Sequence, residues 1–264
     1  MSNSSSESSG STSDESVERS SVDLKIIDWN SDQSKPFELT EEEVKNIEEI
    51  CLEEAYEVTR LPEDIFKLTN ITTMSLDNCQ LSCIPDSISK LVDLKRLYCC
   101  SNALVDLPLG LKSCIRLKEL CIDENSIVEL PDIFGQMRNL CLVEAQGNKL
   151  VSIPDSLLSR QKLRVLDLTG NNLTALGELK STQLTELFLD DNKLDGTKME
   201  WLGNMDNLTK LEISSNKLTT LPSSMTKIKT LKLLNVSNNR KLTALPQGLK
   251  VKRVKKSGTG IRNR

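Results

Sequence analysis

Apolar residues recur along most of the chain, with a period of 23 residues where the pattern is most regular. Three aligned stretches show it, LYCCSNALVDLP from Leu97, LCIDENSIVELP from Leu120 and VEAQGNKLVSIP from Val143. The pattern is L-x-x-L-x-L-x-x-N/C-x-L, where x is any residue. Its units begin at Ile71, Leu94, Leu117, Leu140, Leu163, Leu184, Leu208 and Leu231. Such repetition predicts an array of similar structural units and argues against a single-copy active site in any one of them.

Each unit predicts two structural elements. The alternation in L-x-L predicts a short strand that buries every second side chain. The proline that follows, as in IPDSI from Ile84 and LPSSM from Leu221, predicts a turn or short helix that returns along the opposite side. One unit cannot bury its apolar face alone, so the units are expected to stack into a continuous core with a parallel sheet.

One polar position, N/C in the pattern above, also recurs in each unit. We expect its side chains to form a ladder whose amides bond backbone groups left unpaired where the chain turns inward. The ladder consists of Asn102, Asn125, Asn148, Asn171, Asn192, Asn216 and Asn239, with Cys79 in the same position of the first unit.

These motifs resemble the leucine-rich repeat family, in its typical 23-residue class. The regular I/L-P-x-x-(I/L/M) tails are similar to those of cytosolic members of the Ras-suppressor and Ras-scaffold group. The resemblance implies an α/β solenoid, a horseshoe with a curved parallel β-sheet on the concave face and short helices or turns on the convex side. It also implies a signalling adaptor whose concave face holds a protein, such as a small GTPase or a phosphatase catalytic subunit.

Composition divides the chain into four segments. Residues 1–39 are Ser-rich and acidic and predict a disordered tail. Residues 40–60 precede the array, which we place at 61–249. Residues 250–264 carry lysines and arginines without any acid and predict a basic flexible tail, consistent with nuclear import in addition to the cytoplasm.

The segment before the array allows two structures. Thr40 and Glu43 form a capping box that predicts an acidic helix covering the first repeat. Alternatively, Ile47, Ile50, Leu52, Ala55, Val58 and Leu61 trace a degenerate repeat. The Glu-rich composition favours the helix.

Composition also narrows the chemistry. The 264 residues contain no histidine, which excludes Ser-His-Asp and Cys-His catalytic sites and histidine-containing metal centres. The eight cysteines lack ligand spacing, and no signal peptide opens the chain, which favours a reducing cytoplasm. No apolar run reaches the roughly 18 residues of a membrane span. We therefore expect a non-enzymatic protein without cofactor, metal or transmembrane segment.

The variable positions in and just after each predicted strand should describe the partner, because they project from the concave face. The charged residues among them are acidic, with Arg96 and Lys210 as the exceptions, so a basic partner is expected and nucleic acid is not. Tyr98, Leu142, Val165 and Phe188 are the candidate apolar anchors. The predicted partner-binding residues are Tyr98, Glu119, Asp123, Glu124, Leu142, Glu144, Asp167, Glu186, Phe188, Asp190 and Asp191.

Two further motifs suggest other functions. Lys25, Ile27 and Trp29 fit a basic-x-(Val/Ile)-x-aromatic pattern that resembles docking segments of type-1 serine/threonine phosphatase ligands, and this supports an alternative function as a phosphatase regulatory subunit. Cys121-Ile122-Asp123 resembles the Cys-x-Asp element of bacterial leucine-rich repeat ubiquitin ligases. In those ligases the element lies outside the repeats, whereas here it lies within a predicted strand, with Cys100 and Cys121 facing outward.

Overall fold

The computed structural model describes residues 21–23, 45–52, 56 and 58–261. Within them, eleven short strands form one sheet in sequence order, and every neighbouring pair is parallel. The strands are β1 (Ser21–Asp23), β2 (Glu49–Cys51), β3 (Thr73–Ser75), β4 (Arg96–Tyr98), β5 (Glu119–Cys121), β6 (Leu142–Glu144), β7 (Val165–Asp167), β8 (Glu186–Phe188), β9 (Lys210–Glu212), β10 (Leu233–Asn235) and β11 (Arg253–Lys255). The sheet is open and curved, which confirms the predicted α/β solenoid.

Short helices occupy the convex side. They are 3₁₀ helices at Glu63–Lys67, Asp86–Lys90, Leu109–Ser113, Phe134–Gln136, Glu200–Asn204 and Ser223–Lys227, and one α-helical turn at Asp155–Leu158. Five of these seven follow a proline in extended conformation, which starts the return segment as the sequence predicted. None of the helices of the described residues is long and apolar enough to cross a membrane.

The core lies between the sheet and this convex layer. In β2 to β10 the middle residue points inward and stacks in register on its neighbours, as Leu97, Leu120, Val143 and Leu166 do, all fully buried. The first and third side chains of these strands point to the concave face.

The asparagine ladder is confirmed. The Asn148 side chain accepts a 3.0 Å hydrogen bond from the Ile127 amide in the preceding repeat, and donates to the carbonyl of Ile122 at 2.9 Å. Asn125 and Asn171 make the same two bonds to the repeats before them. Cys79 uses its thiol in this position, donating to the Leu52 carbonyl at 3.2 Å.

The array extends beyond its predicted C-terminal boundary. Residues 250–264 were expected to be a flexible tail, but Arg253–Lys255 pairs with β10 as the last strand. The reason is the apolar residues between the basic ones, because Leu249, Val251 and Val254 pack against the core while the lysines point to solvent. The basic segment therefore covers the end of the last regular repeat.

The N-terminal end also differs from the favoured prediction. Residues 45–46 are helical, but Glu49–Cys51 forms a strand, with Ile50 and Leu52 buried in the core. Over residues 47–52 the structure thus follows the degenerate repeat, and burial of Ile50 and Leu52 outweighs the helix propensity of the glutamates. Ser21–Asp23 adds one more strand within the segment predicted to be disordered. Thr40 and Glu43 lie outside the described residues.

Candidate functional site

The exposed side of the sheet carries three rows of side chains that run across the strands. The first row comes from the first residue of each strand, the second row from its third residue, and the third row from the residue two positions later. Nine of the predicted partner-binding residues lie in these rows. The other two, Glu124 and Asp191, lie in the turn that directly follows the third row.

Four residues occupy the middle of this face and are called the central quartet below. Leu142 lies opposite Val165, and Glu144 lies opposite Asp167, because β6 and β7 pair in register. All four side chains are partly exposed. Glu119 adjoins Leu142 on one side, and Glu186 adjoins Val165 on the other. An apolar pair is therefore bordered by carboxylates on three sides.

Two of the neighbouring carboxylates are oriented by hydrogen bonds within the face. The Tyr98 hydroxyl donates to Glu119 Oε2 at 2.5 Å. The Cys121 thiol donates to Glu144 Oε2 at 3.1 Å. Burial, together with the neighbouring Glu119, raises the pKa of Tyr98 well above its ordinary value. The hydroxyl therefore keeps its proton and holds the Glu119 side chain in place.

The C-terminal part of the face is less acidic than the sequence indicated. Lys210 Nζ lies 4.3 Å from the centre of the Phe188 ring, in a cation–π arrangement, and within 4.0 Å of Glu186 and Glu212. Lys255, on the unexpected last strand, adds a second cation 3.8 Å from Glu212. Among the predicted anchors, Phe188 and Tyr98 thus have partners within the face.

Asp123 and Asp190 have a structural role that the sequence interpretation missed. Each accepts a 2.6 Å hydrogen bond from a backbone amide of the next repeat, Gln146 for Asp123 and Ser214 for Asp190. Asp77 does the same for Cys100. These carboxylates join neighbouring repeats at the end of the strands, so a binding role for them is combined with a packing role.

Burial and neighbouring acids disfavour the ionised form of two of these carboxyl groups. Desolvation by burial raises the pKa of Asp123 from 3.8 to about 6, and the charges of Glu144, Asp167 and Glu124 add to the increase. Desolvation also raises the pKa of Asp190, with Glu212 and Asp167 contributing. The charge of Asp167 thus raises the pKa of both aspartates, although desolvation contributes more.

In the turn after the third row, one residue of each repeat has a backbone conformation in the left-handed region. Glu124 and Asp191 have φ angles of 51° and 50°, whereas Gly147 and Gly170 occupy this position in the two repeats between them. A Cβ atom on Gly147 would lie 2.4 Å from Glu124 Oε1, so the glutamate side chain extends across the glycine.

The thiols of the face are not activated. Burial, with help from the hydrogen bond to Glu144, raises the pKa of Cys121 far above its usual range. Burial also raises the pKa of Cys100, to about 12. Cys121 points to the concave face, as expected, but it is only 7% exposed. A thiolate nucleophile at Cys121 is therefore disfavoured, and no group of three metal-ligating side chains occurs within the described ranges.

The remaining predicted site cannot be placed on the structure. Lys25, Ile27 and Trp29 lie outside the described residues, so the phosphatase-docking motif stays a prediction. Strand β1 ends at Asp23, two residues before Lys25, at the first edge of the sheet. Along the sheet, that edge is five strand spacings, or about 24 Å, from β6, the nearer of the two strands that carry the central quartet.

Comparison with known proteins identifies the repeats. Two leucine-rich repeat family models match the chain, one at residues 182–240 and one at residues 70–91. No curated protein sequence matches significantly. These matches agree with the repeat units read from the sequence.

Solved structures share the fold along most of the chain. A leucine-rich repeat protein of Leptospira interrogans is 24% identical with a TM-score of 0.61, over 82% of this chain and 68% of that one. A chain of the octameric complex of Latrophilin 3, Unc5D and the leucine-rich repeat part of FLRT2 is 25% identical with a TM-score of 0.68, over 78% and 69%. The leucine-rich repeat domain of the type III effector XopL is 21% identical with a TM-score of 0.61, over 81% and 77%. The same fold thus occurs in a bacterial leucine-rich repeat protein, in a chain of a multiprotein complex and in a type III effector.

Proposed function

We propose that this chain, a leucine-rich repeat solenoid in fold, is a non-enzymatic scaffold or adaptor of intracellular signalling. Its concave face binds a basic surface of a partner protein, centred on the central quartet. Leucine-rich repeat domains generally mediate protein–protein interaction, and FLRT2 takes part in a protein complex through a chain that contains this fold. The particular partner class, a small GTPase or phosphatase, rests on the family resemblance of the repeats.

The observation that carries the proposal is the arrangement of Leu142 and Val165 beside Glu144 and Asp167. Partly exposed aliphatic side chains at the middle of a face can be desolvated by a partner, and such central contacts contribute most of the affinity of an interface. Carboxylates around them select a partner with lysines or arginines and speed its approach. The central quartet therefore combines apolar side chains that supply affinity with carboxylates that select a basic partner.

The raised pKa of Asp123 supports the same conclusion. Its carboxylate repels Glu144, Asp167 and Glu124 in the free protein. A cation from a partner would reduce this repulsion and favour the ionised form of Asp123. Binding is therefore expected to release a proton from this group near pH 6, and to strengthen as the pH rises through that region.

A quantitative pull-down from cell extract, read out by mass spectrometry, tests the proposal. One variant combines Glu144→Lys with Asp167→Lys in the central quartet. The control combines Glu129→Lys with Asp132→Lys, which changes the net charge equally at exposed positions away from the concave rows. Partners lost with the first variant and kept with the control support the concave face as the binding site. Equal losses, or none, contradict it.

A second candidate function follows from Lys25, Ile27 and Trp29. We propose recruitment of type-1 serine/threonine phosphatase through this segment, with the solenoid supplying a separate contact to a substrate or scaffold. The position of β1 at the edge of the sheet favours this division, because a segment that follows it starts well away from the central quartet.

A further inference from the structure

A basic cleft lies at the C-terminal end of the solenoid, outside the concave rows. It has a volume of about 750 Å³ and is formed between the segment before β10 and the segment before β11. Lys229 and Lys232 come from the first segment, and Lys250 and Lys252 from the second. The cleft exists only because the basic C-terminal segment is folded onto the array, which the sequence did not indicate.

The four lysines of this cleft are uncompensated. All four side chains are exposed, and among the described residues none of their ammonium groups lies within 4.0 Å of a carboxylate. Lys229 Nζ donates to the Thr226 carbonyl, which fixes its position at the rim without cancelling its charge. Like charges held on two facing segments repel each other, and a bound anion would relieve that repulsion.

The floor of the cleft is apolar. Leu231 is buried, while Leu249 and Val251 are partly buried and pack against the core. An anion that carried no apolar group would leave this floor in contact with water. The cleft is therefore complementary to a ligand with negative charges at its edges and an apolar side chain between them.

We propose that this cleft binds an acidic peptide segment of a partner protein, with aspartate or glutamate side chains at the lysines and an apolar side chain on Leu249 and Val251. This site goes beyond the proposed function, because it lies on another surface and selects the opposite charge from the central quartet. The solenoid would then hold a basic surface on its concave face and an acidic segment at its C-terminal end.

The geometry favours a peptide over other polyanions. Among the described residues, no aromatic side chain lines the cleft, although stacking on aromatic side chains supplies much of the affinity for single-stranded nucleic acid. The apolar residues are recessed between the lysines, whereas membrane contact requires an apolar face that protrudes into the lipid. The volume lies in the range of about 300–1,000 Å³ that is usual for ligand clefts.

Fluorescence anisotropy with a labelled peptide of sequence Glu-Asp-Glu-Leu-Glu-Asp-Glu tests the proposal on the full chain. We expect saturable binding, weakened about tenfold or more by Lys232→Glu combined with Lys250→Glu, since two favourable charge contacts become unfavourable. The control combines Lys90→Glu with Lys112→Glu, which are exposed and belong to repeats at least four strands away from the cleft. This control variant should change the affinity by less than about twofold, because salt screens charges that are distant from the bound peptide.

Two comparisons make the result decisive. Replacing the central leucine of the peptide by serine should weaken binding if the apolar floor is used, and an unchanged affinity would contradict that part of the proposal. Oligothymidine and vesicles of phosphatidylserine with phosphatidylcholine serve as the other polyanions. The proposal is overturned if the peptide does not bind, if both lysine pairs weaken it equally, or if only oligothymidine or vesicles bind through Lys232 and Lys250. Unchanged circular dichroism of each variant establishes that the fold is intact.

Discussion

The Asp123 carboxylate accepts a 2.6 Å hydrogen bond from the backbone amide of Gln146, one repeat further along the solenoid. This bond favours the ionised carboxylate, yet desolvation and three neighbouring acids raise its pKa to about 6. Desolvation and the repulsion by these acids together therefore outweigh the attraction of the amide. A residue of the candidate binding face is thus held at a cost in stability, which is common where charge is arranged for binding.

Replacing the Asp123 side chain by that of asparagine is expected to stabilise the protein near pH 7. The folded-state pKa lies above the ordinary value of 3.8, so the folded protein binds this proton more tightly than the unfolded chain. The free energy of unfolding therefore falls as the pH rises from about 4 to about 6, by about 1 kcal/mol after allowance for solvent screening. The amide oxygen of the new asparagine can still accept from Gln146, so Asp123→Asn should remove this loss.

Urea unfolding of wild type and Asp123→Asn at several pH values measures the effect. The two proteins should be equally stable near pH 4, should diverge between about pH 4 and pH 6, and should differ by a constant amount above pH 6. Asp132→Asn provides a control at an exposed acid on the convex side. If Asp123→Asn is less stable than wild type at neutral pH, the charge of Asp123 is structurally required and the repulsion described above is overestimated.

The asparagine ladder is expected to be the most sensitive polar element. Asn148→Ala removes the acceptor of the buried Ile127 amide and the donor of the Ile122 carbonyl. The Ile127 amide is then unpaired in the core, while the Ile122 carbonyl keeps its bond from Asn125, and we expect a total cost of about 2–4 kcal/mol. Asn139→Ala is the matched control, because its amide oxygen accepts from the exposed Lys162, and it should cost less than about 0.5 kcal/mol. Unfolding free energies of comparable size for the two variants would show that the ladder is not essential.

Two glycines in equivalent convex helices should respond oppositely to alanine. A Cβ atom on Gly110 would lie 2.2 Å from the carbonyl oxygen of Asp86, which belongs to the backbone of the preceding repeat. Gly110→Ala should therefore destabilise the protein by about 1–3 kcal/mol. Among the described residues, nothing lies within 4 Å of the Cβ position at Gly135. Gly135→Ala should be neutral or stabilising by up to about 1 kcal/mol, because it restricts the unfolded chain. Thermal unfolding of both variants tests whether repeat spacing is set by this contact.

The repeat architecture was predictable because every unit repeats the same local pattern. Leu97, Leu120 and Val143 align in the sequence and also stack in the sheet, so period and fold are directly related. The last strand was not predicted, because lysines and arginines surround its apolar residue Val254. The strand that contains Ile50 was only the less favoured of two alternatives, because the glutamates around it favour a helix. Burial of these few side chains is enough to form a terminal strand, because the neighbouring strand of the array already has an unpaired edge with which it can pair.

The position of the candidate site was predictable from the sequence, whereas the contacts that its side chains make with one another were less so. All eleven predicted residues face or border the concave side, because strand alternation determines direction. Which of them are already bonded depends on contacts between repeats, as for Phe188 with Lys210 or Asp123 with Gln146. The recurrence of aspartate at positions 77, 123 and 190 was a signal for the amide contacts, and the basic cleft had no signal before the last strand was known.

The phosphatase-docking motif predicts an effect separable from the solenoid. Ile27→Ala combined with Trp29→Ala should reduce binding of purified type-1 phosphatase catalytic subunit, because such segments place these two side chains in apolar pockets. Glu144→Lys with Asp167→Lys should leave that binding unchanged. Isothermal titration calorimetry of wild type and both variants tests the alternative. It is excluded if wild type does not bind the phosphatase, or if only the concave-face variant loses binding.

The two halves of the central quartet should affect different steps of partner binding. Glu144→Gln with Asp167→Asn removes charge at nearly constant shape, so it should slow association and reduce its dependence on salt. Leu142→Ala with Val165→Ala removes apolar contact from the middle of the face, so it should mainly speed dissociation. Surface plasmon resonance with a partner recovered in the pull-down, at low and high salt, separates the two rates. If both variants change only the association rate, the interface is steered by charge but does not bury Leu142 and Val165, and its apolar centre must be sought elsewhere on the face.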